Sequence, residues 1–235
     1  MPIKAVCFDV GGTLAEGELD KRTYRIRVVE YLKSKGYNIN LKQYEKALSS
    51  LLNRLEKIRA KGFEPNFKEF YSWVLIKLRI HPEKEILEEI KHLYFECFPQ
   101  YPKSGVEKTL ETLHGVYKLA VISNSMSNLP RIFLEEYNLI KYFNVVIISG
   151  EVGVRKPNSE IFKLALRNLN VKPWEAVHIG DSLKEDIFGA KRVGMRAIWI
   201  KSEEFQILDV EPDCIVNSIR EVPKAVSKLD ENSIR

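Results

Sequence analysis

The chain has 235 residues, enough for one sizeable core or for a core with a smaller second lobe. Its 45% hydrophobic and 29% charged residues are those of a soluble globular protein, and the net charge of +5 is spread over Lys and Arg interleaved with Glu and Asp. No apolar run is long enough to span a bilayer, no leader-like core precedes the first strand, and no dense basic tract suits a nucleic acid, so a cytoplasmic protein is expected, with no membrane or nucleic-acid partner. Cys7, Cys97 and Cys214 are far apart and lack CxxC spacing, which argues against a structural zinc or a disulfide framework.

Ile3 to Phe8 is an apolar run that reads as a buried parallel strand. It delivers Asp9 and breaks at Gly11-Gly12-Thr13, a sequence that lets backbone approach a ligand closely. Residues 20–98 then read as helix only. Lys21–Lys35 stops at Gly36, and Leu41–Lys61 carries Leu41, Tyr44, Leu48, Leu51, Leu52, Leu55 and Ile58 on one face before Gly62. Asn66–Ile80 is aromatic-rich, with Phe67, Phe70, Tyr71 and Trp73 read as core, and Glu83–Phe98 closes before Pro99. Four such helices suffice for a small bundle.

From Gly105 the pattern alternates. Helices are expected at Val106–His114, Leu129–Tyr137, Pro157–Leu169 (Pro157 in the first turn), Leu183–Val193 and Ile219–Leu229. Strands are expected at Tyr117–Ser123, Val145–Ser149, Glu175–Gly180, Arg196–Ile200 and Cys214–Val216. The fold class is therefore α/β, a doubly wound, Rossmann-like parallel sheet with an inserted α-helical bundle cap. The expected division is a discontinuous core over 1–15 and 100–235 and a cap over 16–99.

Polar groups stand at the carboxyl ends of the apolar strands: Asp9, then Ser123-Asn124, then Arg155-Lys156-Pro157, then Asp181-Ser182 with Glu185 and Asp186. In a parallel sheet those ends share one edge, where ligands bind. Asp9 is suited to nucleophilic attack on an electrophilic centre. Asp9, Asp181 and Asp186 form an oxygen-rich set that fits Mg²⁺, and close carboxylates themselves call for a cation. Ser123 and Asn124, with the backbone of Gly12 and Thr13, are the expected binders of phosphoryl oxygens, and Lys156 would balance developing charge. Ser182 and Glu185 also fit a helix capping box.

These motifs resemble those of the haloacid dehalogenase superfamily, in the subfamily whose helical cap follows the first strand. The matching stretches are Phe-Asp9-Val-Gly-Gly-Thr13-Leu, Ile-Ser123-Asn124-Ser, Val-Arg-Lys156-Pro-Asn-Ser-Glu-Ile-Phe and Ile-Gly-Asp181-Ser-Leu-Lys-Glu-Asp186-Ile-Phe-Gly-Ala. The cap matches only in position and helical character. The resemblance implies that Asp9 is nucleophile and Mg²⁺ ligand, that Lys156 orients it, and that Ser123 binds the phosphoryl group. It further implies metal ligation by Asp181 and the Gly11 carbonyl, with Asp186 beside them directly or through water. The expected activity is Mg²⁺-dependent hydrolysis of a small phosphorylated metabolite through an aspartyl-phosphate, by a monomer or homodimer.

One position departs from the family pattern. Its phosphatases carry a second Asp two residues after the nucleophile as acid/base, and here Gly11 stands there. Glu16, Glu18, Asp20 or a cap residue would have to substitute. Two other readings therefore stay open, a 2-haloacid dehalogenase and a catalytically weak binder of phosphorylated ligands. The dehalogenases put a Tyr at the place of Gly11 and lack the Asp181–Asp186 pair, which favours the phosphatase.

Overall fold

The computed structural model describes residues 2–202 and 210–231. The chain begins with β1 (Ala5–Phe8) and reaches a short strand, β2 (Ala15–Glu16). Four helices follow: α1 (Lys21–Ser34), α2 (Leu41–Arg59), α3 (Phe67–Lys77) and α4 (Lys84–Glu96). The chain then returns through β3 (Tyr101–Pro102), α5 (Val106–His114), β4 (Lys118–Ser123), α6 (Leu129–Glu136), β5 (Val145–Ile148), α7 (Ser149–Val152) and α8 (Ser159–Leu169). It closes with β6 (Ala176–Gly180), a π-helical stretch (Leu183–Phe188) running into α9 (Gly189–Arg192), β7 (Arg196–Ile200), β8 (Cys214–Val216) and α10 (Val222–Glu231). Among the described residues no helix is long and apolar enough to cross a membrane.

All pairings in the main sheet are parallel, in the order β5-β4-β1-β6-β7-β8. Strand alternation sends successive residues to opposite faces. Val6 and Phe8 meet α5, α6 and α10 on one side, while Ala5 and Cys7 meet α8 and α9 on the other. β1 lies between β4 and β6, with Phe8 opposite Val121 and Ile179. Asp9, Ser123 and Asp181 consequently leave the sheet at the same edge, within a residue or two of one another.

The helices α1–α4 enclose a separate cluster that includes Tyr24, Leu32, Tyr44, Leu55, Phe70, Leu75 and Ile90. Phe67, Phe70 and Tyr71 are buried in it, with Phe67 stacked on Tyr71 at 4.3 Å between centroids. Trp73 is half-buried beneath the guanidinium of Arg54, at 4.5 Å. The two connections to this unit pair as the antiparallel β2–β3 ladder, which the sequence pattern did not disclose. Asn40 and Asn66 each complete a capping box, with Gln43 and Glu69 respectively.

Two helix expectations need correction. Pro157 lies outside α8, because Asn158 is the N-cap and accepts from the Glu160 amide. An asparagine oxygen satisfies a free helix-end amide, which the proline ring cannot do. The single helix expected over Leu183–Val193 starts as a wide π turn. A Cβ on Gly180 would lie 2.1 Å from Asp186 Cγ, so this turn packs its acidic side chain directly against bare strand backbone.

Candidate active site

Lys156 is the centre of the site. Its side chain is 1% exposed, and a lysine is almost never so buried without partners. The ammonium donates to Asp9 Oδ1 at 2.7 Å and to Asp186 Oδ1 at 2.6 Å. Asp186 Oδ1 also accepts from His178 Nε2 at 2.8 Å, and its Oδ2 accepts from the Ser182 amide at 3.1 Å. Asp9, Asp181 and Asp186 bring carboxylate oxygens within 4.8 Å of one another.

The electrostatics follow from three carboxylates around one lysine. Burial pushes Asp9 up to about 7 despite Lys156, with the charges of Asp186 and Asp181 adding to the rise. Asp181 is pushed up to about 6 by burial and by Asp186. Burial acts in the same sense on Asp186, but Lys156 and His178 outweigh it and hold that carboxyl well below the usual range. Burial alone would lower Lys156, yet Asp186 and Asp9 keep it above the ordinary lysine range. Burial lowers His178, which favours a neutral ring. The net negative charge and all-oxygen donors fit a hard divalent cation such as Mg²⁺.

Gly12 gives Asp181 its place. The residue has φ +74°, and a Cβ there would lie 2.1 Å from Asp181 Oδ2. Gly12→Ala is expected to cost about 1–3 kcal/mol through backbone strain alone. It should also weaken divalent-cation binding at least tenfold, as read from thermal denaturation with and without Mg²⁺. A variant with unchanged melting and unchanged cation response would refute this account.

Several expected binders are committed elsewhere. The Gly12 amide donates to Ala15 O and the Thr13 amide to Val10 O, so neither points at a ligand. Thr13 Oγ1 is buried and finds no partner. Asn124 clamps Lys156 from both ends of its amide, accepting from the Lys156 N–H at 2.9 Å and donating to its carbonyl at 3.1 Å. The same amide donates to Glu185 at 2.8 Å. These three bonds hold the lysine loop in place. Ser123 is 3% exposed at the end of β4. Ser182 caps the π turn by accepting from the Glu185 amide, but the Glu185 carboxylate reaches Arg155 at 2.7 Å instead of returning to the Ser182 amide. Only half of the expected capping box forms.

Three groups went unnoticed in the sequence. His178 is one, although a lone imidazole inside the apolar strand Ala176–Gly180 is a visible signal. Lys103, just after β3, donates to the Gly12 carbonyl. Glu64, with its side chain 0% exposed, pairs with Arg59 at 2.9 Å and with Arg155 at 3.3 Å, so Arg155 joins the helical unit to Glu185. Backbone bonds from Glu64 to Gly153, Arg155 to Gly62 and Phe67 to Met126 run along the same seam.

A central strand that ends in a carboxylate, with a buried lysine on one of its oxygens and further acids from the next strand, puts a nucleophile and its charge partners at one edge of an α/β sheet. The sequence model of the haloacid dehalogenase-like hydrolases matches residues 3–194, and the chain belongs to that family. It is 30% identical over 235 residues to a glyceraldehyde 3-phosphate phosphatase of Methanopyrus kandleri, covering 97% of this chain and 98% of the relative. A phosphoserine phosphatase of Thermus thermophilus is 34% identical over 126 residues, 53% of this chain and 50% of that one. Among solved structures, a HAD phosphatase from Thermococcus onnurineus superposes with a TM-score of 0.61 at 26% identity, covering 95% of this chain and 98% of that one. A 2-haloacid dehalogenase from Pseudomonas syringae reaches 0.74 at 22% identity, covering 96% and 99%, a likeness of fold alone.

Proposed function

We propose that the protein is a Mg²⁺-dependent phosphatase that hydrolyses a small phosphorylated metabolite through an aspartyl-phosphate on Asp9. The observation that carries this reading is the joint placement of Asp9, Asp181 and Asp186 within 4.8 Å around the buried Lys156. Displacement of halide by a carboxylate needs no such acidic cluster. The relatives named as glyceraldehyde 3-phosphate phosphatases match nearly the whole chain, which makes triose phosphates the first substrates to try.

Lys156 occupies Asp9 Oδ1 and leaves Oδ2 to attack phosphorus. The bond from phosphorus to the leaving oxygen breaks, and that oxygen takes a proton from solvent water as the alcohol departs. Water then attacks the phosphorus of the Asp9 acyl phosphate and gives up a proton to solvent, the bond to Asp9 breaks, and inorganic phosphate leaves. The Lys156 ammonium stays beside the carboxylate oxygen through both halves and stabilises charge there. Asp9, Asp181 and the Gly11 carbonyl would hold Mg²⁺, whose charge neutralises the phosphoryl oxygens when bound.

The leaving group needs a proton, and Gly11 supplies none. Asp20 caps α1 through the Thr23 amide, and Glu16 and Glu18 are exposed. A Cβ on Gly11 would have nothing within 4 Å, and its φ lies outside the left-handed region. Gly11→Asp should therefore fold normally and raise kcat for an alkyl phosphate about 100-fold, the lower end of what a positioned acid supplies. An unchanged or lower kcat would show that another group already does this work.

The reading is tested with p-nitrophenyl phosphate and a panel of triose and sugar phosphates, in Mg²⁺ and in EDTA. Turnover that requires Mg²⁺ supports it. Folded protein that turns over none of them, but releases chloride from 2-chloropropionate, overturns it.

A further inference from the structure

His178 belongs to none of the roles assigned above, yet it ends a line of buried side chains that runs through Asp186 and Lys156 to Asp9. It sits on β6, opposite Cys7 on β1 and Ala197 on β7, and faces the layer under α8. Its ring is 0% exposed and meets the edge of Phe162 at 5.2 Å between centroids. Nδ1 is buried without a partner, so the ring makes one polar contact, from Nε2 to Asp186 Oδ1 at 2.8 Å. A buried imidazole that leaves one nitrogen unsatisfied costs stability. An apolar side chain of that size would serve the core better, which makes core filling a poor account of it.

The geometry at Asp186 shows what the contact does. Oδ1 has two lone pairs, one taken by Lys156 and the other by His178, while the Ser182 amide holds Oδ2. Three donors define the plane of the carboxylate. Lys156 is shared almost evenly, 2.7 Å from Asp9 and 2.6 Å from Asp186, so the orientation of the Asp186 carboxylate bears on where the ammonium sits relative to the nucleophile. We propose that His178 is a positioning residue: its Nε2–H, acting through Asp186, keeps Lys156 on Asp9 Oδ1 and so keeps Oδ2 free to attack. Ligand-orienting groups one step from the reacting atoms commonly change activity 10- to 100-fold when removed.

The kinetic arm rests on the phosphatase reading, and a second arm does not. In the first, His178→Leu is expected to lower kcat for p-nitrophenyl phosphate about 10- to 100-fold with KM within about twofold and melting temperature unchanged or raised. His178→Gln, which keeps an amide donor, is expected to recover most of that loss. A purely structural histidine would give the opposite result, lower stability with kcat intact, and a His178→Leu rate within twofold of wild type overturns the proposal. In the second arm, ¹⁵N-histidine NMR of the wild-type protein should show His178 as the neutral Nε2–H tautomer with a downfield proton. That proton should move upfield in Asp186→Asn. An Nδ1–H tautomer, or a proton indifferent to Asp186→Asn, overturns the proposal even where the Leu variant does not fold. Absence of any wild-type turnover, with the NMR result as expected, removes the phosphatase reading and leaves the hydrogen-bonded line in place.

Discussion

Asp9→Asn is expected to abolish Mg²⁺-dependent hydrolysis of p-nitrophenyl phosphate, by at least about four orders of magnitude, the scale seen when a nucleophile is removed. The change is nearly isosteric. The amide oxygen can still accept from Lys156, which sits 2.7 Å from Asp9 Oδ1, and the Asp9 amide still donates to Ile179 O at 2.9 Å. What disappears is the carboxylate oxygen that attacks phosphorus. Stability should move the other way. Asp9 is 7% exposed and faces two other carboxylates with a single lysine between them, a burden reflected in its rise to about 7 by burial and like charge. A neutral side chain relieves that repulsion, so in metal-free buffer the variant should melt about 2–8 °C higher, as ~1–2 kcal/mol gives in a chain of this size. Mg²⁺ should stabilise the variant less than the wild type. Residual activity above one per cent of wild type would mean that a different group attacks.

The parts of this site that were legible in the sequence are those set by local rules. Asp9, Ser123 and Asp181 stand at the ends of short apolar runs, and parallel strands necessarily bring such ends to one edge. Their strands are β1, β4 and β6, adjacent in the sheet. Glycines marked stops for the same reason, as at Gly36, which takes φ +88° just past α1. The failures concern partners. Nothing near Asn124 reveals that its amide faces Lys156 and Glu185, because that contact is made by loops from different strands. The same holds for Glu64, which reaches Arg155 only once α2 and α3 have packed. Glu185 looked like half of a capping box because its spacing from Ser182 is right, and the nearby Arg155 guanidinium outcompeted the amide for its carboxylate. Asn158 displaced Pro157 as the start of α8 because its side-chain oxygen satisfies the Glu160 amide at the helix end.

Lys156→Met should be the most destabilising of the substitutions considered. The thioether chain roughly fills the space of the lysine stem but carries no charge. It would leave Asp9 and Asp186, which are 7% and 1% exposed, facing each other without the cation that now bridges them at 2.7 and 2.6 Å. Breaking a buried pair in this way costs about 3–5 kcal/mol, which lowers the melting temperature of a chain this long by about 6–20 °C. Turnover should fall about 10²- to 10³-fold, the usual effect of losing one pre-aligned charge at the reacting centre. Divalent cations offer a check on the cause. The variant site carries one more net negative charge, so Mg²⁺ should raise its melting temperature by more than it raises that of the wild type. Arginine should not rescue either property, because a planar guanidinium is larger than the ammonium now held at 2.6–2.7 Å by two carboxylates in a sealed space. A Lys156→Met protein that melts and turns over like the wild type would show that Asp9 and Asp186 do not share a proton-bearing cation in solution. The line from His178 to the nucleophile would then be broken at its centre.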